Sequence, residues 1–302
     1  MPKHNAAIYL LSSRKNDLYR CLEHLHKNWN YKHGYPIYVN HFDDIYDEEF
    51  IDNIRTNISK DIHFEQILYE IPKHIPESEL FYNRKYLQYV RNSFPPTRIG
   101  YLHMEHYVCN IHNYGKKGCL SKELNKFDYL MRIDDDSWFK SPIEEDLFDY
   151  VQDMPIATAF TWNHCGQGHL DTRENLWNFY LSYLQKNNVS AEDIKDPRLK
   201  EAVTNANEMK MHVLPWTCGN LNIYNMKMLI EAGLDDWILE VNKFGGTYKH
   251  RWGDLEVLGL FAYTNFKESV YNLKLREAGL YEPKLPSSGY APSTLKKSNN
   301  ER

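Results

Sequence analysis

The run Ala6-Ala7-Ile8-Tyr9-Leu10-Leu11 is apolar on both alternating sets of side chains and stops abruptly at Ser12-Ser13-Arg14. A strand of that kind must be covered on both faces, as in a parallel sheet with helical crossovers. Behind it Leu18, Cys21, Leu22 and Leu25 recur at i, i+3, i+4 and i+7, and Asp17 is placed to cap the helix they predict. Residues 36–40, Pro-Ile-Tyr-Val-Asn, read as a second strand. This β-α-β opening predicts an α/β fold with a mostly parallel central sheet flanked by helices, and ligands gathered at the carboxyl ends of the strands. Ser12 to Arg14 and the loop at 40–44 would lie on that edge.

Further strands are expected at 128–133, 156–161 and 220–224, a polar helical region between 173 and 210, a helix at 226–232, and a last helix beginning at Asp254. No repeat is visible, and 302 residues suit one large domain, drawn here as 1–280. Residues 281–302, with Pro283, Pro286 and Pro292 among Ser, Lys and Asn, read as an arm or disordered tail. A 42% hydrophobic and 14% aromatic composition can build a core, which excludes wholesale disorder. The net charge of −5 argues against a general nucleic-acid binder, so the partner is expected to be small. Five cysteines without a CxxC pair suggest neither a disulfide framework nor a structural zinc site. The longest apolar stretches fall far short of the roughly 20 residues of a membrane span, and no secretory signal precedes Ala6. The expectation is a cytoplasmic protein, or one of the Golgi lumen if the chain is a piece of a longer one.

Three consecutive carboxylates, Asp134-Asp135-Asp136, end the strand at 128–133. Like charges raise one another's pKa, and a hard cation relieves the cost. In an extended segment Asp134 and Asp136 would share a face and one metal ion while Asp135 points elsewhere. The stretch 244–254, Phe-Gly-Gly-Thr-Tyr-Lys-His-Arg-Trp-Gly-Asp, is the second constellation. Its glycines allow close backbone approach. Arg251 can pair a phosphate or orient a carboxylate, Trp252 can stack on a sugar or fill the core, and Asp254 can cap a helix or face a reacting carbon. After the strand at 156–161, His164, Cys165, His169 and Asp171 fall in a polar, Gly-containing loop that matches no common zinc finger. Acceptor recognition is the preferred use there, with Trp162 as a sugar platform, joined by Trp216 and His212.

Taken in order, residues 9–18, Tyr101-Leu102-His103-Met104, 129–139, 216–222 and 245–254 resemble glycosyltransferase family 15, the fungal α-1,2-mannosyltransferases. The resemblance covers most of residues 5 to 265. It implies a GT-A-like nucleotide-sugar-binding fold, GDP-mannose as donor, a glycan hydroxyl as acceptor, and Mn²⁺ (or Mg²⁺) as cofactor. Carried over, Ser13, Arg14, Tyr101 and Arg132 would serve the donor and Asp134 the metal; Ser12, Tyr38 and Asp135 are placed with the donor beside them, and Asp136 with the metal. Trp162, His164, Trp216 and Trp252 would serve the acceptor, and Asp254, Glu256, Asn222 and Arg251 the chemistry.

Two departures bear on mechanism. Where the family has a Ser-Asn-Phe-Glu type segment, this chain has Gly219-Asn220-Leu221-Asn222, and an amide is neither a nucleophile nor a base. The family's metal-binding His, four residues beyond the Arg-Trp-Gly-Asp aspartate, falls on Leu258, which cannot ligate. Retention through a front-face mechanism stays open. So does inversion with Asp254 or Glu256 as base and a UDP-sugar such as UDP-xylose as donor. Rivals of other classes are a catalytically inactive carbohydrate- or nucleotide-binding module and a metal-dependent phosphohydrolase.

Overall fold

The computed structural model describes residues 2–42, 45–67, 70–81, 99–111, 121, 123–162, 174–206, 216–217 and 219–283. Its strands are β1 (Ala6–Leu11), β2 (Ile37–His41), β3 (Ile62–Gln66), β4 (Tyr129–Ile133), β5 (Trp138–Phe139) and β6 (Ile156–Thr158). After them come β7 (Thr161–Trp162), β8 (Trp216–Thr217), β9 (Leu221–Asn225), β10 (Tyr271–Asn272) and β11 (Tyr281–Glu282). Seven of them form one sheet in the order β10-β6-β9-β4-β1-β2-β3. Neighbours run parallel except at β9, which is antiparallel to both β4 and β6.

Alternation along the strands divides the core in two. Ala7 and Tyr9 of β1, Leu130 of β4 and Tyr224 of β9 face one side, with the helices Ile99–Ile111, Leu176–Lys186, Leu234–Phe244 and Asp254–Asn265. Ile8, Leu10, Met131, Ile133 and Ile223 face the other, against the helices Lys15–Leu25 and Glu48–Asn57. Both sides are covered, which explains the uninterrupted apolar run of β1.

The first helix buries Leu18, Cys21, Leu22 and Leu25 as their spacing requires, but Asp17 does not cap it. The helix starts earlier, at Lys15, because the Leu18 N–H already reaches the Arg14 carbonyl at 3.0 Å; Asp17 lies inside the first turn. The expected strand at 156–161 is two strands, and β7 leaves the main sheet to pair with β8. The region 173–210 holds two amphipathic helices, Leu176–Lys186 and Pro197–Thr204, the second capped by Asp196. The boundary at 281 needs correction too. β11 pairs antiparallel with β5, with Tyr281 1% exposed, so the fold extends past 280, while 284–302 lie outside the described residues. No described helix is long and apolar enough to cross a membrane.

The paired glycines serve packing. A Cβ on Gly246 would stand 1.9 Å from Cε3 of Trp252, whose indole is fully buried and stacked on Phe244 at 4.9 Å. Gly246→Ala is therefore expected to destabilise the protein by about 3 kcal/mol through overpacking, measured by chemical denaturation. A change of less than about 1 kcal/mol would contradict this packing.

Candidate functional site

β1 and β4 are parallel neighbours, so the loops at their carboxyl ends lie side by side. Ser12 is held to β2 by its N–H on the Asn40 carbonyl at 2.9 Å. Its hydroxyl donates to Asp135 Oδ2 at 2.6 Å and accepts from the Tyr46 hydroxyl at 2.6 Å. Burial pushes the Tyr46 hydroxyl up to about 12, so it remains a donor. Arg14 pairs with both oxygens of Asp135 and, through Nη1, with Asp136 Oδ2 at 3.1 Å. Burial works to lower the Arg14 pKa, but the pairing with Asp135 and Asp136 outweighs it and raises it. Asp135 itself is raised, by burial above all, against the opposing pull of Arg14 and Ser12. Ser13 is exposed beside them.

The three aspartates are not an extended segment. The strand ends at Ile133, and the Ser137 N–H closes a turn on the Asp134 carbonyl at 3.1 Å. The predicted alternation of Asp134 and Asp136 on one face therefore fails, and different partners orient the three. Asp135 and Asp136 share Arg14, while Asp134 accepts from Arg132 Nη2 at 3.1 Å and from Asn220 Nδ2 at 2.9 Å. The Asp134 and Asp136 side chains keep 30% and 22% exposure, against 5% for Asp135. Burial, reinforced by the neighbouring acids over the opposing Arg132, pushes the Asp134 carboxyl up to about 6.

Arg132 is buried at the centre of this edge, opposite Tyr9 on β1 and Asn222 on β9. Its Nη1 donates to Asp254 Oδ2 at 2.5 Å. Burial would lower its pKa, but Asp254 and Asp134 raise it well above the ordinary value, so it is permanently charged. Asp254 opens the helix Asp254–Asn265, and its N–H donates to Glu105 Oε2 at 3.0 Å. Glu256, two residues on in the same first turn, is buried. Arg251 ends the short helix Gly246–His250 in a left-handed conformation (φ 59°) and is buried. Asn222 is fully buried, with neither amide atom partnered among the described residues.

Several assignments change. Trp252 is 0% exposed, stacks on Phe244 and His250, and donates its indole N–H to the Glu174 carbonyl at 2.8 Å, so it presents no face to a sugar. Tyr38 is 5% exposed, stacked on His63 at 5.0 Å and covered by the Lys126 ammonium, away from the aspartates. Trp162 and Trp216 are register partners in the β7–β8 pair. Their side chains, that of Tyr101 in the helix Ile99–Ile111, and the whole of His164 lie outside the described residues. Glu105 escaped the sequence reading, although it is the single acidic or basic side chain, histidines aside, in that thirteen-residue helix. A lone carboxylate in so apolar a segment is a signal that the side chain is used inside the fold.

Four carboxylates, Asp134, Asp135, Asp136 and Asp254, thus share two guanidiniums, Arg14 and Arg132. Arg14 also meets Asp17 at 3.5 Å, so carboxylates outnumber guanidiniums on this edge, and the Asp134 and Asp136 side chains stay partly exposed. Leu258, 5% exposed, contributes only packing.

Residues 1–270 match the glycolipid 2-alpha-mannosyltransferase family along their whole length. The chain belongs to this family. It is 23% identical over 265 residues to glycolipid 2-alpha-mannosyltransferase 1 of Candida albicans, covering 85% of itself but only 58% of that protein. This mannosyltransferase-family chain shares its fold with core-mannan synthase A of Aspergillus fumigatus, solved in a Mn/GDP form (TM-score 0.69, 17% identity, 90% of this chain and 73% of the other). The mannosyltransferase Ktr4p of S. cerevisiae is similar in fold too (TM-score 0.68, 19% identity, 90% and 69%). The GT-A-like architecture expected from the motifs is therefore the architecture found.

A second acidic group is distinct from this edge. His4, Asp146 and Asp149 bring ligand atoms within 4.8 Å of one another, but at the amino end of β1, where Lys3 and His4 already pair with Asp149 at 2.6 and 2.7 Å. It reads as a salt-bridged cluster, in which Asp146 is buried and accepts from the Tyr35 hydroxyl at 2.6 Å.

Behind the site, His103 Nδ1 lies 2.8 Å from the Tyr248 hydroxyl and the His106 ring packs on the same tyrosine. Burial lowers both imidazoles from 6.5 to about 4. A depressed base favours the fold above the unfolded pKa, so stability is complete above about pH 6.5 and is lost as pH falls toward 4, by at most roughly 3 kcal/mol per group. Asp134 and Asp135, raised instead, work with the opposite sign, while His24, His26 and His33, lowered by burial as well, add to the same trend as His103 and His106. Denaturation midpoints between pH 7 and 4 should fall steeply, and a His103→Gln/His106→Gln variant should flatten the profile; an equally steep variant would contradict the assignment.

Proposed function

We propose that the protein transfers mannose from GDP-mannose to a hydroxyl of a glycan acceptor, with Mn²⁺ or Mg²⁺ bound by Asp134 and Asp136. The observation that carries this is the excess of carboxylates over guanidiniums at the carboxyl edge of the sheet, with Asp134 and Asp136 partly exposed, supported by family membership and by the relative whose solved form holds Mn and GDP. The cation supplies positive charge to the leaving diphosphate. The chain's own residues do the rest. Ser12 and Arg14 fix Asp135 and Asp136, so the turn keeps its shape when a charged donor arrives. Arg132 and Asn220 orient Asp134, and Arg132 adds a fixed positive charge to the edge that would receive the donor. Asn222 replaces a carboxylate with an amide, so a covalent glycosyl-enzyme at that position is excluded, and the reading is direct displacement.

A second reading, inversion from a UDP-sugar, draws on Glu256, whose Oε2 lies 2.9 Å from where a Cβ on residue 253 would stand, beside Asp254. The test is a screen of common nucleotide sugars with Mn²⁺, scoring free nucleoside diphosphate. GDP release from GDP-mannose is expected, lost with EDTA and reduced about 100-fold or more in Asp134→Ala and Asp136→Ala. Release from a UDP-sugar alone would favour the second reading. Binding without turnover when glycan acceptors are supplied would favour an inactive module, and phosphate release from simple esters a phosphohydrolase.

A further inference from the structure

The helix Asp254–Asn265 begins behind Gly253, a residue with no side chain to cap it. The first N–H groups of a helix have no partner within it, and in a buried place they need an acceptor from elsewhere. For Asp254 that acceptor comes from a different helix, as Glu105 Oε2 at 3.0 Å. Glu105 is 5% exposed, and its Oε2 lies 3.4 Å from where a Cβ on residue 253 would stand, against the very start of the helix.

This matters for Asp254. An aspartate in a first helical turn is itself a ready acceptor for the unsatisfied N–H groups there, and the helix dipole favours that use. With Glu105 on the Asp254 N–H, the Asp254 carboxylate turns instead to Arg132 Nη1, and Arg132 meets Asp134 with only its other terminal nitrogen. Without Glu105, Asp254 would fold back on its own helix. Arg132, buried and always charged, would then turn both nitrogens to Asp134, as guanidinium and carboxylate prefer.

We propose that Glu105 is a positioning residue of the transfer site: it caps the neighbouring helix, keeps Asp254 on Arg132, and so keeps Asp134 open to a divalent cation. The last link rests on the proposed function, whereas the links from Glu105 to Arg132 do not.

Glu105→Ala removes the acceptor, and Glu105→Gln keeps an amide oxygen in its place. Two readouts separate the links. Without any ligand, NMR follows exchange of the Asp254 amide and the guanidinium signals of Arg132. Calorimetry then measures GDP binding in the presence of Mn²⁺. In Glu105→Ala the Asp254 amide should exchange about tenfold faster, the Arg132 signals should shift, and GDP binding should weaken about tenfold. Glu105→Gln should stay within about twofold of the unaltered protein on both counts, since the cap needs an oxygen and not a charge. In an Asp254→Asn background, Glu105→Ala should add less than about twofold to the loss of binding, because an effect passed through Asp254 is not additive.

Unchanged Asp254 exchange and Arg132 signals in Glu105→Ala would overturn the proposal, as would a Gln variant as impaired as the Ala one, or a fully additive loss. If the unaltered protein binds no GDP with Mn²⁺ while the NMR signals respond as stated, the proposed function fails and the positioning of Asp254 by Glu105 stands.

Discussion

A guanidinium buried between two carboxylates holds this protein's carboxyl edge together. Arg132 is 7% exposed, and an unpaired charge so placed would cost several kcal/mol. Its pairs with Asp254 and Asp134 therefore constrain everything that carries them. β4 has to end where it does, so that Asp134 follows at once. The helix Asp254–Asn265 has to dock with its first turn against the sheet, and β9 has to run antiparallel to β4 to set Asn220 on the far side of Asp134. The tight packing of Gly246 against Trp252 fixes the approach to that helix, with Arg251 held in a left-handed turn between them.

The same edge works against the stability of the fold. Two guanidiniums serve four carboxylates, and Asp134 is pushed toward neutrality by burial and by its neighbours. An arrangement that merely folded would trade one of those acids for an amide. Concentrated, partly exposed negative charge beside a fixed cation suits binding of a metal and a diphosphate, and structures tolerate such local cost chiefly where function needs it.

Much of the fold was legible in the sequence, for physical reasons. β1 matches its apolar run residue for residue, because a strand buried on both faces has no polar position to blur its ends. The helix starting at Asp254 was marked by the preceding glycine and the acids of its first turn. The site was legible as a set of residues but not as a geometry. Sequence gives strand periodicity to Asp134 and Asp136 only while the strand lasts, and it ends at Ile133, three residues short of Asp136. An aromatic residue looks alike whether it meets a sugar or the core, so Trp252 and Tyr38 were placed with ligands when both are packed inside. Glu105 was missed because its partner is a backbone N–H 149 residues away, a contact no local pattern encodes.

The most direct test of the account is a crystal structure of the protein with GDP and Mn²⁺, with anomalous diffraction collected at the manganese edge. The account predicts one strong peak between Asp134 and Asp136, with diphosphate oxygens completing the shell and Arg132 still joined to Asp254. A peak at His4, Asp146 and Asp149 instead, or GDP bound at the carboxyl edge with no metal beside Asp134, would contradict it.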